Sequence, residues 1–147
     1  MRKFLLLIAM VFAINTGFAQ DYDWAVGVRA GGTNSGLTVK HKMNSSSAVE
    51  GVLSIPYDAG FIFTGLYEVY MPVIGDGFNL YFGGGAHVGV LGNVDRFRLG
   101  IDGVVGLEYK IPEVPIAFSL EYKPALDIIS HTQFHYTDFA LGIKFAF

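Results

Sequence analysis

The chain contains no cysteine. Neither a disulfide nor a thiolate metal site is therefore available, and an export signal of the lipoprotein kind, which needs a cysteine to carry its lipid, is excluded. Charge is also sparse, with Asp, Glu, Lys and Arg making up 16% of the residues. An excess of basic residues is missing too. Without Arg2 and Lys3, which belong to the leader described next, the Lys and Arg fall to 8 against 13 Asp and Glu, a net charge of −5. Phosphate neutralisation needs a basic patch, so nucleic acid is not an expected partner. The N-terminal apolar run, Phe4 to Ile14, falls well short of the roughly 20 residues a membrane-crossing helix requires.

That run has a different explanation. Arg2 and Lys3 precede it, and Gly17-Phe18-Ala19 places small residues at the two positions a signal peptidase reads, just before Gln20. Residues 1–19 are expected to be a secretory signal peptide, leaving residues 20–147 as one domain. Within that domain the abundant residues are glycine, 19 in the whole chain, and aromatics, at 15%. Much glycine, many aromatics and few helix formers indicate an all-β protein.

The clearest pattern lies in residues 136–147, where Phe139, Leu141, Ile143, Phe145 and Phe147 alternate with Asp138, Ala140, Gly142, Lys144 and Ala146. A period of two marks a strand with one apolar face and one small or polar face. Similar alternation predicts strands over 24–31, 35–42, 46–54, 60–70, 79–89, 99–110 and 116–123. Short turns are expected at 43–45, at 72–78 around Asp76-Gly77, and at 111–115, where Pro112 and Pro115 deny a ladder its donors. Longer connections are expected at 31–35, 54–60, 89–98 and 124–135. Sequence neighbours joined in this way form an antiparallel meander, and pairing the last strand with the first removes both bare edges. The predicted fold is an eight-stranded antiparallel up-and-down β-barrel.

Alternation does not say which face is inside, but volume does. Eight strands enclose a lumen only wide enough for side chains to fill, and the apolar face here carries bulky Phe, Leu, Ile and Tyr on nearly every strand. The opposite face mixes Gly, Ala, Ser and Thr with a few long charged residues. Bulky residues outside and polar ones inside describe a transmembrane barrel of the outer-membrane type. Strands of about 10 residues, tilted near 40°, span the ~25 Å apolar band of such barrels. Trp24, Tyr109, Phe145 and Phe147 would form an aromatic girdle at the periplasmic rim, with Phe61, Tyr122 and Tyr136 at the other. With both termini in the periplasm, the longer connections face outward from the cell.

The leader, the eight strands and the aromatic C-terminus resemble small outer-membrane β-barrel domain proteins of Gram-negative bacteria, similar in architecture to the transmembrane domain of outer membrane protein A. The stretches Leu99-Gly-Ile-Asp-Gly-Val-Val-Gly-Leu-Glu-Tyr-Lys110 and Ile116-Ala-Phe-Ser-Leu-Glu-Tyr-Lys-Pro124 resemble barrels common in Bacteroidota. The resemblance implies insertion by the barrel-assembly machinery, with terminal Phe147 similar to the signal it reads. It implies location in the outer membrane among lipid and lipopolysaccharide, and no particular activity. Members range over structural, adhesive and porin-like roles.

The inward face carries Arg29, Lys40, Lys42, Lys110, Lys123 and Lys144 against Glu50, Glu68, Asp102, Glu108, Glu121 and Asp138, so the lumen balances its own charge. Unpaired charges there would cost several kcal/mol each, and an interior polar network is expected, with His87 as a polar filler beside Gly83 and Gly85. Tyr70, Tyr81, Leu66 and Val104 are the other expected fillers. Asp127, His131 and His135 fall in the last outer loop, without the helical geometry that makes a His-x-x-x-His spacing a zinc site, so no metal or other cofactor is expected. Ser130 with those histidines matches no catalytic motif, and no catalytic residue is assigned. Asp95, Arg96 and Arg98 read as solvated loop charges able to meet lipopolysaccharide phosphates. The expected function is that of a closed, monomeric, non-enzymatic barrel with a structural or surface-interaction role through its outer loops. A narrow channel and a lipid-modifying enzyme are the alternatives.

Overall fold

A computed structural model describes residues 22–57, 59–74, 77–92, 96–129, 132–135 and 138–147, with the side chains of 73 and 74 excepted. The expected signal peptide lies outside the described residues, as do Asp76, Asp95, Ser130, His131 and Tyr136. Ten strand segments follow in order. They are β1 (Trp24–Gly31), β2 (Asn34–Asn44), β3 (Ser47–Pro56), β4 (Gly60–Ile74), β5 (Phe78–Leu91), β6 (Arg96–Lys110), β7 (Ile116–Tyr122), β8 (Ala125–Asp127), β9 (Gln133–His135) and β10 (Phe139–Ala146).

These segments make an all-β, closed, eight-stranded antiparallel barrel. β7 and β8 both pair with β6 and together form the seventh stave, from Lys110 opposite Ala117 to Gly100 opposite Asp127. β9 and β10 form the eighth, the first against β8 and the second against β7. Closure comes from β1 against β10, in register from Ala25 opposite Ala146 to Gly31 opposite Ala140. The start of β1 and the C-terminus lie at one end, where the Phe147 carbonyl accepts from the backbone of Asp23 and Trp24 at 3.2 and 2.9 Å. The last residues of β2, β4 and β6 share that end, and the last residues of β1, β3 and β5 lie at the other.

Several strands run further than their polarity suggested. β4 passes through Pro72 to Ile74, absorbing the proline at a register shift between those two residues. β6 begins at Arg96, inside what the sequence suggested was a loop. The largest correction concerns residues 124–135, expected as one long connection. They hold β8 and β9, which form a three-residue ladder from Ala125 opposite His135 to Asp127 opposite Gln133. Pro124 interrupts the ladder without ending the stave, because its carbonyl still accepts from Gly103 N at 2.9 Å. Polarity marks strand ends poorly when one face of the sheet is itself polar.

Burial follows the alternation. Leu141, Ile101, Phe63 and Leu120 stand outward and exposed, Leu141 at 64%, while Ala140, Lys144 and Asp102 are buried. Among the described residues the larger apolar cluster inside is Ala48, Val52, Leu66, Tyr70, Tyr81 and Val104, in the half of the barrel nearer the C-terminus, with Tyr22, Ala25 and Ala146 as a smaller one. At the terminal rim Phe78 lies 4.4 Å from Tyr109, Phe145 lies 5.8 Å from Phe147, and Trp24 stacks on His41 at 4.3 Å. Tyr122, expected at the far rim, instead sits opposite Val105, midway along β6. Exposed Phe97 and Phe134 stand on the extended strands above it.

Candidate functional site

The lumen is the site, and its inward side chains fall into two tiers. The lower tier, nearer the C-terminus, is centred on Lys40. Its ammonium lies 2.8 Å from Glu68, 3.2 Å from Glu50 and 3.3 Å from Glu108, and donates to the Tyr70 hydroxyl at 2.6 Å. It also stands 4.4 Å from the centre of the Tyr81 ring, which stacks on Tyr70 at 5.3 Å. Lys144 meets the other oxygen of Glu50 at 2.9 Å, Thr38 donates to Glu50, and Tyr22 donates to Glu108 at 2.5 Å. Four staves, β2, β3, β4 and β6, are tied here through one cation. Lys40, Glu68 and Glu108 are 0% exposed, so the carboxylates stay compatible with burial only because cations stand among them.

The upper tier runs toward the opposite mouth as a chain of pairs. Arg29 donates to Glu121, to Asp138 at 3.0 Å and to Asn34 at 2.8 Å. Lys123 reaches Asp102 at 3.1 Å and Asp138 at 3.5 Å. His87 is held between Asp102, 2.7 Å from Nδ1, and Asp127, 2.8 Å from Nε2. Asp127 in turn accepts from Arg98 Nε at 2.8 Å and lies 3.1 Å from His135. Tyr81 joins the tiers by donating to Glu121 at 2.8 Å.

The sequence-derived network residues Arg29, Lys40, Glu50, Glu68, His87, Asp102, Glu108, Glu121, Lys123, Asp138 and Lys144 are all buried. Two other inward candidates sit differently. Lys42 is half buried, its ammonium 4.7 Å from the Tyr22 ring and 4.8 Å from the Tyr70 ring. Lys110 leaves the lumen and donates to the carbonyls of Val114 at 2.6 Å and Ile111 at 3.2 Å, closing the turn after β6. Room for His87 is also made differently from the expectation. A Cβ on Gly83 or Gly85 would strike the carbonyl of Tyr67 or Gly65, whereas one on Gly100, opposite His87 across the ladder, would stand 2.5 Å from its imidazole. Gly106 does the same for Tyr81, at 2.5 Å from the ring.

Three members of the upper tier were not read as such from sequence. Arg98, Asp127 and His135 fell in segments assigned to loops. A signal for one of them was present, because the inward series Ala117, Ser119, Glu121, Lys123 continues at the same period through Ala125 to Asp127. The proline at 124 masked it. Arg96 stays exposed. Among the described residues no three His, Asp or Glu side chains form a group able to hold a metal ion.

Chemically, the tiers differ in what they leave over. Tyr22, Tyr70, Tyr81 and Leu66 fill the lower lumen. Higher up, the inward residues between the ion pairs are short, and a cavity of about 340 Å³ remains. Its lining runs from His87, Thr64 and Asp102 deep in the barrel to Pro56, Leu91 and Ile129 at the mouth.

No protein-family model matches the chain, and no curated protein matches it by sequence. Its fold is similar to the crystal structure of the N-terminal β-barrel domain of Pseudomonas aeruginosa OprF, with a TM-score of 0.69 over 84% of this chain and 95% of that one. Sequence identity between the two is 12%, so the likeness is one of fold.

Proposed function

We propose that the chain is an integral outer-membrane barrel, closed to solutes, which has a structural or surface-interaction role through its outer mouth and works as a monomer without catalysing a reaction. The observation that carries this is the distribution of side chains across the closed sheet. Phe63, Leu120, Leu141 and Ile143 lie more than half exposed around the outside, while Lys40, Glu68 and Glu108 are wholly buried inside. Contiguous apolar surface of that extent is not stable against water, and lipid is the solvent that suits it. Export would use residues 1–19, insertion the barrel-assembly machinery reading Phe147, and the mouth would stand among lipopolysaccharide. Kinship with the Bacteroidota barrels rests on residues 99–124.

The lower tier favours a closed barrel over a channel. Opening a path would require Lys40 to leave three carboxylates at once, and it has few other partners to move to. A catalytic role finds little support in the upper tier. Both ring nitrogens of His87 already face carboxylates, so the imidazole is not free to take a proton from Thr64 or Ser54 in the same cavity.

Cell fractionation tests the location. The protein should be recovered with outer membranes, migrate anomalously on unheated SDS gels, and give no steady unitary conductance in planar bilayers. Recovery in the soluble periplasm would defeat the outward orientation of the apolar face. A stable ion-selective current, altered by Glu68→Gln or Glu121→Gln, would favour the channel instead. Replacing Phe147 by serine should lower the amount of assembled barrel while leaving export intact, and an unchanged amount would remove its role as an assembly signal.

A further inference from the structure

The cavity in the upper lumen is large enough for a small ligand, since binding sites for small molecules start near 300 Å³. What it could hold is decided by which polar groups in its wall are already engaged. Asp102 is paired with Lys123, Asp127 with Arg98, and Asp138 with Arg29 and Lys123, while the two ring nitrogens of His87 lie against Asp102 and Asp127. A charged ligand entering here would give up hydration and find no free opposite charge in the depth of the cup, unless it broke one of these pairs. Arg96, at the mouth, is exposed and its field is screened by solvent.

Hydrogen-bonding capacity, by contrast, is left over. Thr64 and Asp138 belong to the cavity wall, and Oγ1 of the first and Oδ1 of the second are buried with no hydrogen-bond partner among the described residues. Ser54 adds a hydroxyl to the same wall, beside Asn34, whose amide is already bonded to Arg29, and Ile62 and Leu91 supply apolar patches between them. A wall of compensated charge, free oxygen acceptors, hydroxyls and small apolar patches suits a ligand whose groups each both donate and accept, with C–H faces between.

We infer that the upper lumen is a binding site for a small neutral sugar, of mono- or disaccharide size, presented at the outer mouth. Thr64 and Asp138 take its hydroxyls, and the ion pairs hold the wall in shape without contacting it as charges. This deepens the surface-interaction role proposed above and rests on that reading only for the side of the membrane the cup faces.

Binding to the full barrel, folded in detergent micelles and checked by its gel shift, is measured by isothermal titration and ligand-observed NMR. The probes are glucose, galactose and maltose, with glucuronate, glucosamine and inorganic phosphate as charged counterparts. The expected result is saturable binding of at least one neutral sugar, tighter than that of any charged probe. Thr64→Val should weaken it about tenfold, as expected for a lost hydrogen bond in a buried site, and Ala125→Leu, which fills the cup, should abolish it. The inference is overturned if no neutral sugar saturates, if a charged probe binds more tightly, or if both folded variants bind as the parent does. The wild-type panel decides the matter even where a variant does not fold. Because the measurement is made on isolated barrel, soluble fractionation or a conductance would overturn the proposed function and leave this result standing.

Discussion

The two halves of the lumen are built from the same residue types and reach different ends. In the lower half one ammonium serves three carboxylates, and tyrosines occupy the remaining volume. In the upper half the charges are joined one to the next along a chain from Glu121 to His135, and short side chains leave a cavity of about 340 Å³. Charge balance is common to both, so it does not distinguish a plug from a cup. Side-chain volume does. Tyr70, Tyr81 and Leu66 stand where the upper half has Thr64, Ser54 and Ala125.

The largest effect should come from breaking the lower hub. Lys40→Met removes the shared cation and leaves Glu50, Glu68 and Glu108 facing one another in a dry interior, which should cost about 3–5 kcal/mol. Urea unfolding from lipid vesicles, followed by the gel shift, would measure it. A loss below that of an upper-tier variant would show that the hub is not the stabilising centre. Next is the outer face, against which both halves are set. Leu141→Arg should destabilise the barrel by about 2–4 kcal/mol in the same assay, through the cost of an arginine in the apolar band. A neutral outcome would mean that this face does not meet lipid.

Asp127→Asn should follow, at about 1–3 kcal/mol, because it weakens bonds to His87, Arg98 and His135 in a partly solvated chain with other partners nearby. It should also leave planar bilayers silent, since the seal lies below it, whereas Tyr81→Ala should be the first substitution to permit a leak. A current in the Asp127 variant alone would move the seal to the upper half. The smallest effect is expected at the mouth, where Arg96→Gln should shift stability by no more than about 0.5 kcal/mol. A larger change would place Arg96 in the chain of pairs rather than in solvent.

Much of this was legible in the order of residues. The alternation from Phe139 to Phe147, and its counterparts on the earlier strands, assigned inside and outside correctly at Lys40, Glu108, Leu120 and Leu141. The limits of the strands were less legible, because Arg98 and Asp127 look like loop residues to any rule that equates polarity with solvent. In this fold an inward polar residue is as acceptable to a strand as an apolar one, and Pro72 and Pro124 are carried by shifts in pairing that a neighbouring strand sets.

What the sequence determined by itself was therefore the direction of each side chain, since successive residues of a strand point to opposite faces whatever lies beside them. It also determined that bulk belonged outside and charge inside, because an eight-stranded lumen has no room for the opposite choice. Which charges meet was decided only by the tertiary structure. Lys40 reaches Glu68 and Glu108, and His87 reaches Asp127, through the register of staves distant in sequence and the twist of the closed sheet. The cavity was decided in the same way, for it is the space left when short residues from several staves arrive at the same height, a coincidence that no single strand records.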